Sequence, residues 1–200
     1  MLSQNSRLIL ASTSKVRKKI LEESGIIFEV IAPTFDEDKE KKQLKLPIKK
    51  LAMFLAEQKA LSISKQLRDA YVIGSDQVCE FENKEISKSK NKSQAIKQLK
   101  NFNNKTHFQN NAAVIALNGK IIFRNFSRVK LKMRKISDLE IKNYVEKDQS
   151  WNCAGSYKYE SFGKHLFEKV SGDYYAVLGL AIQPLLNFLH KKKIIKLNTK

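Results

Sequence analysis

Four stretches of the sequence carry side chains whose types and spacing suit phosphate chemistry. Ser12-Thr13-Ser14-Lys15-Val16-Arg17-Lys18 places hydroxyls and cations where a short apolar strand gives way to a helix. Free backbone N–H groups and the positive helix end gather at such a junction and match phosphate oxygens. The stretch has no glycine and is not a P-loop; an ordinary capped helix with exposed basic residues is its other reading. Gly74-Ser75-Asp76-Gln77 follows the apolar run Tyr71-Val72-Ile73. In open α/β sheets ligands gather outside the carboxyl ends of strands, so Asp76 is either a site carboxylate or a turn-former. Lys59 falls in the middle of a helical stripe formed by Ile48, Leu51, Ala52 and Leu55. A lysine on a buried face must reach solvent at the helix end or meet an anion. The stretch from Asn152 to Glu160, NCAGSYKYE, combines small residues that permit close approach with the charges of Lys158 and Glu160. A surface loop is the alternative there. His107, His165 and His190 have no metal-ligand spacing, and no Ser/His/Asp or Cys/His system is legible, so covalent catalysis is not expected.

The elements that must position these groups are readable in outline. Residues 7–12 predict a buried strand, followed by a helix capped by Ser14 and stopped at Gly25. Residues 26–31 predict a second strand and 33–46 a charged loop. A helix is expected from about Ile48 to Leu67, then a third strand from Tyr71 to Ser75, ending at Asp76. Val78 to Ile86 resembles a hairpin centred on Glu82-Asn83. A helix over 93–102 leads to two long strands, 107–117 and 120–133, joined at Asn118-Gly119. Ser137-Asp138-Leu139-Glu140 is a capping box. Residues 152–167 read as irregular, 174–180 as a last strand and 184–190 as a last helix. Strands alternate with helices and a hairpin is inserted, so a mixed α/β sheet is expected.

Composition narrows the class further. The 200 residues are 42% hydrophobic and 29% charged, with 7 Gly and 3 Pro, which excludes collagen-like and Pro/Gly-rich disordered chains. Cys79 and Cys153 form no CxxC pair, which favours a reducing compartment. No apolar run approaches the ~18 residues of a membrane helix. The first seven residues lack the order of a signal peptide, so a soluble cytoplasmic protein is expected, with no membrane partner. A net charge of +18 invites an anionic partner, although lysines spread along the chain also fit a compositional bias. The densest cluster, within 191–200, reads as a basic C-terminal tail. No zinc-finger spacing or RNP-type motif is present, so a specific nucleic-acid partner is not expected.

Together these stretches resemble the Maf family of nucleoside triphosphate pyrophosphatases. The resemblance runs in order through LILASTSKVRKKILEESGIIFEVIAPTFDE (Leu8 to Glu37), EQKA (Glu57 to Ala60), VIGSDQV with EISKS (Val72 to Ser89), and NCAGSYKYESFGKHLFEKVSGD (Asn152 to Asp173). The ending YYAVLGLAIQPLLNFL is also similar, so nearly the whole chain is covered. The forms GSDQV and CAGSYKYE look like the subfamily acting on 7-methyl-GTP. The dTTP/UTP subfamily differs where this chain has Gln77 and Asn152. The family pattern is departed from at Lys15 (usually Pro), Val16 (often aromatic or Arg), Ser87 and Ser89 around Lys88, and Ser161 (a Gly).

The resemblance implies an elongated, two-lobed single domain over 1–200, with a mixed twisted sheet, flanking helices and a central cleft. It implies hydrolysis of an α–β phosphoanhydride to a nucleoside monophosphate and pyrophosphate. Asp76 would be the catalytic base, and Ser12, Arg17, Lys59 and Lys88 would bind phosphate. Glu37 would add a carboxylate, and Val16, Gln77 and Glu160 would choose the base. A homodimer is implied as well. An aspartate is a feeble base in water, so Mg²⁺ or Mn²⁺ held by Asp76 and Glu37 is expected to acidify the attacking water. The competing readings are a dTTP/UTP preference, a basic nucleic-acid-binding protein, or a cell-division regulator without catalysis.

Overall fold

The computed structural model describes residues 2–37, 40, 41, 44 and 46–198. In chain order the elements are β1 (Leu2–Gln4), β2 (Arg7–Ala11), α1 (Lys15–Glu23), β3 (Glu29–Ile31), α2 (Ile48–Ser64), β4 (Ala70–Phe81) and β5 (Lys84–Ile86). Then come α3 (Lys92–Phe102), β6 (Thr106–Leu117), β7 (Lys120–Met133), α4 (Asp138–Asp148), β8 (Phe167–Ser171), α5 (Tyr174–Leu178), α6 (Ile182–Lys191) and β9 (Ile195–Leu197). The main sheet runs β3-β2-β4-β6-β7-β8, with β5 also on β4, while β1 and β9 form a separate pair. β2 is parallel to β3 and β4, and the other pairings are antiparallel. The protein is thus an α/β fold with a mixed sheet flanked by helices.

β4 carries the site. One of its edges pairs with β6 from Val72 to Glu80. Its other edge pairs with β2 only as far as Gly74 and with β5 only from Cys79 onward. Among the described residues, 75–78 therefore have no strand on that side. The strand is twice as long as expected: Asp76 lies in its middle, opposite this gap, rather than at its end. The alternation of side chains along β4 sends Asp76 to one face of the sheet and Ser75 and Gln77 to the other.

Three cores hold the frame. α1 and α6 cover one face of the sheet through Leu8, Leu10, Ile73, Ile115, Leu185 and Leu189. α2 covers the other through Leu51, Leu55, Ala56 and Ala60. A third core joins the far ends of β4 and β7 to α3 and α4 through Phe81, Leu99, Leu131 and Ile141. The approach of α2 to β4 depends on Gly74. A Cβ there would lie 2.3 Å from the Ala56 carbonyl oxygen and 2.8 Å from the Ala60 Cβ.

Several expectations are corrected. Residues 174–180 do not form a strand. They form α5, capped by the Asp173 carboxylate accepting from the Ala176 N–H at 2.7 Å and ended by Gly179 at φ 108°. A short apolar run fits either state, and the Asp cap decides it. The second strand shrinks to Glu29–Ile31, with Ile27 exposed. The loop expected over 33–46 lies partly outside the described residues, but Glu37, Glu40 and Lys41 are helical. The segment 191–200 is not wholly a tail. Ile194 and Ile195 are buried, and β9 pairs antiparallel with β1; Thr199 and Lys200 lie outside the described residues. The two predicted turns hold, with Glu82, Asn83, Asn118 and Gly119 all at the positive φ that tight hairpins require.

Candidate active site

A cleft of about 230 Å³, open to solvent, lies over the gap in β4. It gathers Val16, Arg17, Glu37, Lys59, Asp76, Gln77, Lys88 and Glu160, which the sequence scatters over 145 positions. Ser12 is the exception among the expected residues. It is buried at the end of β2, is not among the residues lining the cleft, and its hydroxyl accepts from the Ser14 N–H at 3.2 Å and from Arg17 Nη1 at 3.4 Å. The structure thus places it behind Arg17, where it supports that side chain.

The Lys59 ammonium does not reach bulk solvent; it meets anions. It hydrogen-bonds Asp76 Oδ1 and lies 2.8 Å from Glu37 Oε2. Lys41, which the sequence did not single out, bridges Glu37 Oε1 at 2.9 Å and Glu85 Oε1 at 3.1 Å. Burial pushes the Glu37 carboxyl up, but Lys59 and Lys41 outweigh it and bring it down to about 2. Burial works against the Lys41 charge, but Glu37 and Glu85 raise its pKa above the ordinary lysine range. Burial lowers the Arg17 guanidinium against the pull of Asp76 and Glu37. Lys88 is exposed at the cleft wall, with no ion pair among the described residues. Among the described residues lining the cleft the formal charges balance: Arg17, Lys41, Lys59 and Lys88 stand against Glu37, Asp76, Glu85 and Glu160. Among the described residues the net charge of +18 is therefore not concentrated here.

Asp76 is 4% exposed, and its Oδ2 has no hydrogen-bond partner among the described residues. A buried carboxylate oxygen without a donor is costly unless something else meets it. Beside Glu37, this oxygen suits a divalent ion. No group of three His, Cys, Asp or Glu is placed to cage a metal among the described residues. The donor set therefore fits an ion that brings its remaining oxygens from phosphates and water, as Mg²⁺ does.

The wall opposite is neutral. Gln77 donates both amide hydrogens to backbone carbonyls of α5, Ala176 at 3.0 Å and Val177 at 2.8 Å, which leaves Oε1 as its only free group. Behind the loop 152–160, Gln109 donates to the Tyr157 hydroxyl at 2.8 Å and to the Ala154 carbonyl at 3.2 Å, while Tyr157 meets His107 Nε2 at 2.9 Å. Burial drives the His107 pKa down to about 3 and raises the Tyr157 hydroxyl well above its ordinary value, so both are neutral at pH 7. The sequence did carry a signal for this pillar: three successive amides, Gln109-Asn110-Asn111, in the middle of a long strand must find partners if buried.

The fold and cleft define an α/β protein whose cleft is lined by side chains from two faces of one long strand. Residues 7–192 match the family described as Maf-like protein, and the chain belongs to that family. It is 37% identical to the nucleoside triphosphate pyrophosphatase of Ruegeria sp. (strain TM1040), over 96% of this chain and 99% of the relative. It is 37% identical to the protein of that name from Pelagibacter ubique (strain HTCC1062), over 94% and 98%, and 33% to that of Rhodopseudomonas palustris (strain BisB18), over 94% and 95%.

Proposed function

We propose that this chain is a nucleoside triphosphate pyrophosphatase that hydrolyses the α–β anhydride, with Asp76 at the reacting centre. The observation that carries the reading is the buried Oδ2 of Asp76, without a hydrogen-bond partner among the described residues, on a residue that lines the cleft together with Arg17, Lys59 and Lys88. Lys59 ties down Oδ1, so the carboxylate is oriented and Oδ2 is left to position water and accept its proton. Attack on the α-phosphorus breaks the bond to the bridging oxygen. Negative charge then grows on the departing pyrophosphate, where Arg17, Lys59 and Lys88 stabilise it. Asp76 and Glu37 would hold Mg²⁺ or Mn²⁺, which when bound supplies charge beside the phosphates and a more acidic water. With its carboxylate so engaged, Glu37 would leave the Lys59 ammonium available to phosphate.

The base end favours a guanine-type substrate, with 7-methyl-GTP as the best candidate. Gln77 has only an acceptor free, and Glu160 is acceptor-only when ionised. A base edge with adjacent donors, as the N1–H and amino group of guanine, satisfies both. Uracil and thymine offer one N–H between two carbonyls and would leave acceptors facing acceptors. Val16 gives an aliphatic wall, and Tyr159 supplies an aromatic face for a cationic methylated base. The test is pyrophosphate release from 7-methyl-GTP, GTP, ITP, UTP and dTTP, with and without Mg²⁺. Guanine nucleotides should rank first and metal should be required. A UTP or dTTP optimum would overturn the base assignment, and no pyrophosphate from any member would overturn the activity.

A further inference from the structure

The residues that grip phosphate and those that read the base come from different elements, yet they hang on one short piece of backbone. Arg17 Nε donates to the Gly179 carbonyl at 2.8 Å. Gln77 donates to the carbonyls of Ala176 and Val177, three and two residues earlier. The Gly179 Cα lies between the two side chains. A Cβ there would be 3.4 Å from Arg17 Nε and 3.5 Å from Gln77 Oε1, and its φ of 108° already excludes most side chains. The elbow of residues 176–181 therefore sets the distance between the two functions.

One buried side chain locks this elbow from behind. Asn111, on β6 directly opposite Gln77, is 0% exposed and does not line the cleft. Its Nδ2 donates to the Gly179 carbonyl at 2.9 Å and to the Asp76 backbone carbonyl at 3.1 Å, with Ser75 Oγ at 3.3 Å. Its Oδ1 accepts from the Ala181 N–H at 3.1 Å, which fixes the amide orientation. The Ser75 hydroxyl also reaches the Gly179 carbonyl, at 2.8 Å. Asn111 thus clamps the backbone that leaves Gly179, from its carbonyl to the Ala181 N–H, and the backbone of Asp76 at once. An ordinary core position in a sheet between two helical layers would be apolar. A side chain that uses both ends of its amide on backbone groups beneath the cleft is placed to hold them.

We infer that Asn111 is the positioning residue of this site, holding the 176–181 elbow so that the Arg17 guanidinium and the Gln77 carbonyl face one nucleotide in register. The inference rests on the pyrophosphatase reading above and adds a residue that touches no substrate. It follows that removing the amide should loosen phosphate binding and base choice together, although neither reading group is altered.

The test compares wild type with Asn111→Leu, which keeps the branched outline, adds volume and loses every hydrogen bond, and Asn111→Ser, which is smaller and keeps one donor. Two readouts are taken on folded protein: KM and ranking over the nucleotide panel, and Kd for α,β-methylene GTP, which cannot be cleaved at the α–β bridge. Asn111→Leu should raise KM and Kd about tenfold, the loss expected for one hydrogen bond to a charge-bearing group. It should also narrow the preference for guanine over uracil, with kcat falling less than KM rises. Asn111→Ser should lie between the two. A merely structural role would lower the melting temperature and the active fraction while leaving KM, Kd and ranking within twofold of wild type, and that result overturns the inference. If Asn111→Leu does not fold, Asn111→Ser alone decides by the same criteria. Wild-type protein that binds the analogue but cleaves no nucleotide would sink the enzymatic reading instead, and the Kd comparison would still judge Asn111.

Discussion

At one end of the cleft, Lys59 and Lys41 are threaded between Glu37, Asp76 and Glu85 by ion pairs. At the other, His107, Gln109 and Tyr157 join through neutral hydrogen bonds beneath the loop that carries Glu160. The charged end is held by partners that a polyphosphate and a cation can replace one for one. The neutral end is held by uncharged hydrogen bonds among buried side chains. Gly155 shows how tight that end is: at φ 83°, a Cβ would lie 2.7 Å from the Tyr157 ring. The difference separates two tasks. Interactions that must change partner during turnover are ionic, and interactions that define a shape are uncharged and tied to backbone.

The largest effect should come from the charged end. Asp76→Asn keeps the shape and removes the proton acceptor, so kcat/KM should fall about 10³-fold or more, since a positioned acid or base contributes roughly 10²–10⁴. Steady-state rates and the thermal midpoint check it together. A near-normal rate would mean that the carboxylate is structural. A smaller and different effect is expected where the base is read. Glu160→Gln should change the order of preferred nucleotides by about tenfold in relative kcat/KM while the best maximal rate moves less, because one matched polar contact at the base edge is lost. An unchanged ranking across the panel would dissolve the division between the two ends.

Acid should dismantle the two ends in order. His107 has a folded pKa of about 3, below its ordinary value of 6.5. The unfolded chain therefore binds the extra proton first, and stability falls as pH drops from about 6.5 toward 3. Glu37, at about 2 against an ordinary 4.5, costs stability only as pH falls through that lower window. Thermal midpoints measured from pH 7 to 4 should decline, by roughly 2–4 °C per kcal/mol, and His107→Gln should flatten the first part of the decline. An identical slope in that variant would show that His107 is not the group responsible.

Much of the charged end was legible because its residues announce themselves locally. A lysine on an apolar helical stripe must reach solvent or meet an anion, and Asp76 after an apolar strand is a site carboxylate or a turn-former; the resemblance of the four stretches chose between these readings. Lys41 and Glu85 were missed because their pairing spans 44 positions and a charged segment read as loop. Asn111 was missed because the run Gln109-Asn110-Asn111 signals only that buried amides need partners, not which backbone each will meet. The strand expected at 174–180 failed for a related reason: its apolar pattern fits helix and strand alike, and the Asp173 cap that decides between them is one residue outside the pattern.

The central claim is that water, placed by Asp76, attacks the phosphorus nearest the nucleoside. Turnover in ¹⁸O-labelled water tests it directly by mass spectrometry of both products. The account predicts one ¹⁸O in the nucleoside monophosphate, none in the pyrophosphate, and neither product from Asp76→Asn. Label appearing in the pyrophosphate would contradict it.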